Sequence, residues 1–302
     1  MTTGAIHPRH PIAAALLSLA LPGLGQLYNG EINKALWLFI TFVSIGVPGM
    51  TIAALYVPAV LMLPVLLASV LLTLTIWLGS VVSAWRVAAR AQVYQRQEWQ
   101  TSGLYALLLL TGNLFIAIFL IGTMRDRMVQ SFFIPSASME PGILRGDVLF
   151  ADKRYNCPGC GSRVERGDVG IFVYPNDRTQ YYIKRVIGLP GDHIVISGHA
   201  VSINGVSLTR NQTEIGGDIT ATEQSGGHTW QVHWNASAAG SSTDLVVPPG
   251  QIFLLGDNRG LSSDSRQFGS VPMVDLKGKA RQLWFSRGKT GVRWSRLGMV
   301  LK

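Results

Sequence analysis

Hydrophobic residues follow two different patterns in this chain, and the change falls near Met124. Before Met124 there are long runs of Leu, Ile, Val, Ala and Phe, with only two acidic residues, Glu31 and Glu98, and five Lys or Arg. After it the apolar runs are short, have strand character and are separated by Gly, Pro, Asp and Asn. The pattern predicts an N-terminal α-helical transmembrane region followed by a mainly-β domain.

Three apolar runs are long enough to cross the roughly 30 Å hydrocarbon core of a bilayer as helices. These runs are residues 36–57, 59–84 and 104–123. A cleaved signal peptide would instead be one short N-terminal segment. We therefore expect an integral membrane protein with a multi-span region over residues 1–103, a last transmembrane helix at 104–124 and a β-rich domain at 125–302.

A fourth apolar run, residues 12–28, is interrupted by Pro22, Gly23 and Gly25. This predicts a short, kinked or re-entrant segment. The string PGLGQLYNGE at residues 22–31 resembles a motif of helical-hairpin membrane domains of the TM2 type. Glycines that let helices approach closely are an equally good interpretation.

Basic residues indicate which side of the membrane each part faces. The loop between residues 84 and 103 carries Arg86, Arg90 and Arg96. The positive-inside bias places this loop in the cytoplasm, and the domain after residue 124 then lies on the outer side. The N-terminus lies inside if segment 12–28 is re-entrant and outside if that segment spans.

The net charge of +9 comes from dispersed basic residues without a nucleic-acid-binding motif, so we expect no nucleic acid partner. Attraction to anionic lipid is the simpler explanation. The tail from Arg287 to Lys302, which includes Trp294, suits lipid head groups or a solvated surface equally well.

The stretch Ser131–Asp147, SFFIPSASMEPGILRGD, contains the first candidate for catalysis, Ser138. Pro135 and Pro141 bracket Ser138 and predict a tight turn. A serine hydroxyl is a weak nucleophile until a base takes its proton, so this turn by itself is typical of an ordinary loop. Apolar residues around the turn predict contact with lipid or with an apolar groove; they are Phe132, Phe133, Ile134 and Met139.

The second candidate is Lys184, in the run YYIKRVIG. On a strand, Tyr182, Lys184 and Val186 share one face, so apolar side chains flank the amine. Burial favours the neutral form, and lowering a lysine pKa from about 10.4 by roughly three costs about 4 kcal/mol. A neutral Lys184 would be a general base, whereas a surface lysine paired with a carboxylate is the alternative.

The third candidate is the segment Gly256–Gly269, GDNRGLSSDSRQFG, which follows the apolar run IFLL. Asp264 and Arg266 are spaced to form a charge pair that supports a loop. Ser262 or Ser263 would supply a hydroxyl to a buried amine. A solvated turn explains the Gly, Asp and Asn residues but not the number of hydrogen-bonding groups after one buried strand.

In this order the three motifs, together with Arg166–Tyr174, strongly resemble the sequence boxes of bacterial type I signal peptidases, which are membrane-bound serine proteases with a Ser/Lys dyad. The resemblance implies a nucleophile at Ser138, a general base at Lys184, and an oxyanion hole formed by the Ser136 hydroxyl and the Ser138 N–H. It also implies that Ser262 orients the lysine amine, that Asp264 and Arg266 give support, and that Gly256, Asp257 and Asn258 form the turn beneath the site.

The family resemblance also predicts the setting of the enzyme. The catalytic domain would be extracytoplasmic, on the periplasmic side of the bacterial inner membrane. The substrates would be preproteins whose signal peptides end in small residues, as in A-x-A, and the protein-export machinery would be a further partner. We expect neither a cofactor nor a metal.

The chain departs from the usual family pattern at four positions. Ala137 and Gly142 stand where the family has Gly and Thr, and Gly260 and Leu261 replace an Asp-Asn pair. These changes put hydrogen bonding at the 260–261 turn in doubt, but not the dyad. The large membrane region is an elaboration of the family, and the polar stretch 197–249 is expected to be an insertion peripheral to the chemistry.

Other classes of function remain open at this stage. His193 would be the partner in a Ser-His enzyme, although it lies in no matched motif. A specialised Ser/Lys peptidase of narrow substrate range is compatible with the same residues. A non-catalytic membrane assembly or peptide-binding factor is the third class, and intact Ser138 and Lys184 argue against it.

The cysteines, Cys157 and Cys160, form a single C-P-G-C motif. Zinc normally needs four ligands, so one such pair is half a site. The outer side of a membrane favours a local disulfide between them. A metal site shared between two chains is the alternative.

Overall fold

The computed structural model describes residues 9–46, 48–49, 51, 57, 59–91, 94, 97–156, 163–235 and 242–301. The chain forms two compact units, residues Met1–Arg127 and Met128–Lys302. This boundary lies close to the one that the hydrophobic pattern predicts.

The first unit is helical. Its helices are α1 (Pro11–Ala20), α2 (Leu24–Tyr28), α3 (Ile32–Ile45), α4 (Ala59–Arg90) and α5 (Ser102–Leu114), followed by a π-helical segment (Phe115–Gly122) and α6 (Thr123–Arg127). The break between α1 and α2 falls at the interruption predicted in segment 12–28. There Gly23 has a φ of +94°, which favours glycine, and a Cβ atom would lie 2.4 Å from the Ala35 carbonyl oxygen.

One helix in the described part of the first unit, Pro64–Arg90, is long and apolar enough to cross a membrane. Shorter apolar helices occupy Pro11–Ala20, Ile32–Ile45 and Ser102–Ile118. Parts of the predicted span 36–57 lie outside the described residues. The multi-span arrangement therefore stays a prediction.

The PGLGQLYNG motif joins α1, α2 and α4 through buried polar groups. The Gln26 side chain accepts a hydrogen bond from Ser18 Oγ at 3.0 Å and donates one to the Ser80 carbonyl at 2.7 Å. Asn29 Nδ2 donates to the Ala84 carbonyl at 2.8 Å. A Cβ atom at Gly25 would lie 2.1 Å from the Ala14 carbonyl oxygen. The motif thus packs helices closely, as the second of its two interpretations predicts.

The second unit is built on an eight-stranded antiparallel sheet. Its strands are β1 (Val129–Phe133), β2 (Asp147–Asp152), β3 (Val169–Val173), β4 (Tyr181–Gly188), β12 (Gln251–Leu255), β13 (Val271–Pro272), β14 (Leu276–Gly288) and β15 (Gly291–Val292). The strand order is β1-β2-β14-β3-β4-β12-β13, and β15 pairs with β14. The mainly-β prediction for this part of the chain is confirmed.

The predicted insertion consists largely of antiparallel strands. Four strands, β5 (His193–Ser197), β6 (Ala200–Ile203), β7 (Val206–Ser207) and β11 (Thr243–Val246), form one sheet, and three, β8 (Thr209–Ile215), β9 (Asp218–Ser225) and β10 (His228–Asn235), form another. Their buried residues, such as Ile194 and Trp234, share one core with Ile187 of β4 and Phe253 of β12. The insertion therefore packs against the strands that carry the candidate site.

Candidate active site

Ser138 and Lys184 lie in contact, although 46 residues separate them in the chain. Lys184 is on β4, and Ser138 lies in the turn that follows β1. Lys184 Nζ donates a hydrogen bond to Ser138 Oγ at 2.8 Å. The two residues are only 3% and 7% exposed. The fold thus forms the pair that the sequence motifs predicted.

The environment of the Lys184 amine favours its neutral form. Nζ also donates to the Ile183 carbonyl oxygen at 3.0 Å, which orients the amine. Burial lowers the pKa of Lys184 to about 8. The negative charges of Asp264 and Asp257 raise this pKa, and the positive charge of Arg266 lowers it by a smaller amount. About a tenth of the amine is then unprotonated at pH 7, and this neutral form is the one that can act as a general base.

Ser136 is placed beside the nucleophile. Its hydroxyl oxygen lies 3.2 Å from Ser138 Oγ, and its side chain is exposed to solvent. Within the described part of the chain, the Ser138 N–H donates no hydrogen bond. The oxyanion hole formed by these two donors stays a prediction.

Asp264 and Arg266 form the predicted pair. Arg266 Nε and Nη2 donate to the two carboxylate oxygens, each at 2.8 Å, and the Gly256 N–H donates to Asp264 Oδ2 at 3.0 Å. Burial opposes ionisation of Asp264, but the hydrogen bond and charge of Arg266 outweigh it and lower its pKa. Asp264 is thus a fixed negative charge near the Lys184 amine.

Ser262 lies beside the site, and its predicted role of orienting the lysine amine stays a prediction. Its hydroxyl is buried and helps to lower the pKa of Asp264. Among the described residues, the Lys184 amine donates to Ser138 Oγ and to the Ile183 carbonyl oxygen. The Ser262 side chain packs against Gly256, where a Cβ atom would lie 2.1 Å from Ser262 Oγ.

A second buried ion pair lies beneath the dyad. Arg185 Nε and Nη2 donate to the two carboxylate oxygens of Asp257 at 2.8 and 2.7 Å, and Arg185 Nη1 donates to the Gly167 carbonyl at 2.6 Å. Asp257 was predicted to lie in the turn beneath the site, and its pairing with Arg185 was not predicted. The available signal was strand alternation, because Arg185 follows Lys184 on β4 and must point to the opposite face.

A cleft of about 410 Å³ opens at the dyad. Its lining includes Phe132, Phe133 and Ile134 from the predicted apolar triplet, together with Ile171, Tyr181, Tyr182 and Leu261. Phe133 and Leu261 are 64% and 71% exposed and lie at the open side of the cleft. Leu261 is also one of the positions where the chain departs from the family pattern.

Met139 was predicted to contact the groove or the membrane, and the structure corrects this. Its side chain has no exposed surface and belongs to the core cluster that includes Ile134, Ile143 and Leu149. In a turn, the backbone decides which side chain points inward, and apolar character alone does not distinguish core from groove.

Comparison with known proteins shows the family of the chain. The family model described as "Signal peptidase, peptidase S26" matches residues 107–285, which is more than half of the chain. The chain belongs to the signal peptidase family. The match includes the Ser138 turn, the Lys184 strand and the 256–269 segment.

The matched region includes about three quarters of the length of each of two bacterial relatives. Signal peptidase I from Rickettsia typhi is 36% identical over 203 residues, which are 56% of this chain and 76% of the relative. Signal peptidase I from Pseudomonas fluorescens is 31% identical over 219 residues, 62% of this chain and 77% of the relative. A solved signal peptidase I from Enterococcus faecalis is 29% identical and covers 39% of this chain and 97% of its own, with a TM-score of 0.28.

Of the further candidates, His193 and Asp168 do not line the cleft. His193, on β5, contacts Asp244 of β11 at 2.6 Å and does not line the cleft of this signal peptidase. Asp168, in the motif Arg166–Tyr174, accepts a hydrogen bond from the Tyr155 hydroxyl at 2.7 Å and pairs with Lys279. Cys157 and Cys160 lie outside the described residues, so the disulfide stays a prediction.

Proposed function

We propose that this chain is a membrane-bound serine endopeptidase that removes signal peptides from exported preproteins, with Ser138 as nucleophile and Lys184 as general base. The observation that carries the proposal is the 2.8 Å contact between Lys184 Nζ and Ser138 Oγ in an apolar cleft. A pKa of about 8 for the lysine makes its amine an effective base near neutral pH.

Acylation begins when Ser138 Oγ attacks the scissile carbonyl carbon and its proton moves to Lys184 Nζ. The carbonyl oxygen becomes an oxyanion and accepts hydrogen bonds from the Ser138 N–H and the Ser136 hydroxyl. The lysine then gives its proton to the departing amine as the C–N bond breaks. The products are an acyl-enzyme on Ser138 and the free N-terminus of the mature protein.

Deacylation uses the same groups in the same order. Lys184, neutral again, takes a proton from a water molecule that attacks the ester carbon. The ester bond to Ser138 Oγ breaks, and Oγ recovers its proton from Lys184. Atoms and charges balance without any group beyond the dyad, the oxyanion donors and water.

The shape of the cleft supports selection of small residues before the scissile bond. Ile134 and Ile171 form its buried walls, whereas Phe133, Tyr181 and Leu261 are exposed along it. Shallow apolar pockets accept alanine-sized side chains and exclude larger ones. Cleavage after an A-x-A-like sequence follows from this selection.

The position of the nucleophile in the chain supports action at the membrane surface. Only fourteen residues separate Ser138 from the end of the apolar run at residue 123, and the exposed Phe133 lies between them. The arginines of loop 84–103 favour a catalytic unit on the periplasmic side of a bacterial inner membrane. Lipid bilayer and the protein-export machinery are the partners that this location provides.

Precursor processing in cells tests the proposal. Cells that depend on this protein are depleted of the wild type and supplied with Ser138→Ala, Lys184→Ala or the control Lys277→Met, which changes a lysine away from the cleft. We expect exported precursors to accumulate with the first two variants and to mature with the control. Normal maturation with Ser138→Ala or Lys184→Ala would refute the dyad, and accumulation of only one or two precursors would show a narrow substrate range.

A further inference from the structure

Glu223, on β9 of the insertion, forms a fully buried ion pair with Arg259 in the loop after β12. Neither side chain has exposed surface. Arg259 Nη1 and Nη2 donate to the two carboxylate oxygens at 2.8 and 2.5 Å, and Trp230 Nε1 donates to Glu223 Oε2 at 3.0 Å. The insertion is therefore tied directly to the segment that holds Asp257 and Asp264.

Arg259 uses its remaining polar groups to hold the 256–259 turn. Its Nε donates to the Gly256 carbonyl at 3.0 Å, and its own carbonyl accepts from Arg266 Nη2 at 2.7 Å. Two backbone hydrogen bonds join the same turn to β10, from Arg259 N to the His233 carbonyl at 2.7 Å and from His233 N to the Asp257 carbonyl at 2.8 Å. The turn is thus hydrogen-bonded to the insertion at Asp257 and at Arg259.

The 256–259 turn also holds the backbone of the nucleophile Ser138 by hydrogen bonds. Asn258 N donates to the Ser138 carbonyl at 3.1 Å, and Asn258 Nδ2 donates to the Ala137 carbonyl at 3.2 Å. The Gly256 N–H donates a hydrogen bond to Asp264, the carboxylate whose charge raises the pKa of Lys184 most. A shift of the turn would therefore move the backbone of Ser138 and the charge near Lys184 together.

Stability alone is a weak reason to bury two charges here. Their removal from water is costly, and apolar residues of similar volume often give equal or greater stability. A bidentate Arg–carboxylate pair does, however, impose a definite geometry on the groups that it joins. The pair is thus better suited to fix the turn than to stabilise the fold.

We propose that Glu223 is a positioning residue of the peptidase, which acts through Arg259 to fix the 256–259 turn and the Ser138 backbone. This inference rests on the proposed function. It also replaces the expectation that the insertion is peripheral to the chemistry. The inserted sheet β8-β9-β10 is, on this view, a structural part of the catalytic machinery.

The test compares Glu223→Gln with Glu214→Gln in the full-length protein in detergent micelles, using a peptide with an A-x-A cleavage site. Glu214 is an exposed glutamate of the same sheet and serves as the matched control. We expect Glu223→Gln to lower kcat about 10- to 100-fold, since small misplacements of reacting groups have effects of this size. KM is expected to stay unchanged, because the cleft walls are not altered. A kcat equal to that of Glu214→Gln would overturn the inference.

A second variant, Glu223→Leu/Arg259→Met, separates positioning from folding. Apolar replacement of both partners is expected to restore the melting temperature but not kcat. Recovery of kcat together with the melting temperature would mean that the pair serves stability only. Ser138→Ala is measured in parallel. If Ser138→Ala still cleaves the peptide, the proposed function is wrong. If Ser138→Ala is inactive and Glu223→Gln is fully active, only the positioning role of Glu223 is wrong.

Discussion

The backbone N–H of Asn258 donates a hydrogen bond to the carbonyl oxygen of Ser138 at 3.1 Å. The third sequence motif therefore holds the main chain of the first one. The same segment supplies Asp264, whose charge acts on Lys184. Both members of the dyad thus depend on the geometry of one loop.

Gly256→Ala tests how closely this loop approaches the nucleophile. A Cβ atom at residue 256 would lie 2.5 Å from the Ser138 carbonyl oxygen and 2.1 Å from Ser262 Oγ. The backbone must move, so we expect kcat to fall about 100-fold and stability to fall by about 1–3 kcal/mol. Peptide cleavage and thermal unfolding measure the two effects.

Gly142→Ala is the control for this substitution. A Cβ atom at residue 142 would be no closer than 3.4 Å to its nearest neighbour, Asp257 Oδ2, which is an ordinary contact. We expect this variant to retain activity. Equal activity of Gly256→Ala and Gly142→Ala would contradict the close packing described for the 256–262 segment.

The rate of cleavage is expected to rise with pH through about 8, the pKa of Lys184. The sign follows from the mechanism, because only the neutral amine accepts the serine proton, and the neutral fraction grows as pH passes the pKa. The pH dependence of kcat/KM reports this group in the free enzyme. A profile that falls through this range would exclude a neutral lysine base.

Asp264→Asn is expected to shift the rising limb of the pH–rate profile to lower pH. The Asp264 charge raises the pKa of Lys184, whereas Arg266, which remains, lowers it. Removal of the carboxylate therefore favours the neutral amine at lower pH. Asp244→Asn, at an exposed position on β11, serves as the control and is expected to leave the limb in place. A limb that moves upward in Asp264→Asn would show that the charge of Asp264 does not act on Lys184 as described.

Ser136→Ala tests the proposed oxyanion hole. Loss of one donor to an oxyanion typically lowers kcat about 10²- to 10³-fold, and KM is expected to change little because the donor acts in the transition state. Ser263→Ala, which alters another serine lining the cleft, is the matched control. If the two variants have the same kcat, the Ser136 hydroxyl has no part in stabilising the oxyanion.

Asp257→Asn is expected to destabilise the second unit strongly. It leaves the Arg185 charge buried without its carboxylate partner, at a cost of about 3–5 kcal/mol. For a domain of this size that corresponds to a melting temperature lower by roughly 6–20 °C. Thermal unfolding of the full-length protein, followed by near-UV circular dichroism, gives the value.

Asp275→Asn is a useful comparison for this pair. Its partner Arg178 is 61% exposed, and pairs of this kind contribute about 0–1 kcal/mol. We also expect Arg185→Met/Asp257→Leu to recover most of the stability lost in Asp257→Asn. A similar loss for Asp257→Asn and Asp275→Asn would show that burial of the Arg185 pair has little energetic weight.

The local pattern of apolar and polar residues was sufficient to predict much of the secondary structure of the catalytic unit. The short apolar runs after Met124 predicted strands, among them YYIKRVIG, and the structure has β4 there. Apolar neighbours on both sides of Lys184 predicted a desolvated amine, and its pKa is lowered. These features depend on residues close in sequence, where strand periodicity already decides which side chains share a face.

The sequence by itself determined the division near residue 124, the β-rich character of the second part and, through the Ser138, Lys184 and 256–269 motifs, the family. Only the tertiary structure decided that Arg185 pairs with Asp257, that Glu223 pairs with Arg259 and that Met139 belongs to the core. These pairs join residues 72 and 36 positions apart. Such contacts depend on which strands become neighbours, and that choice follows from packing of the whole domain rather than from any local pattern.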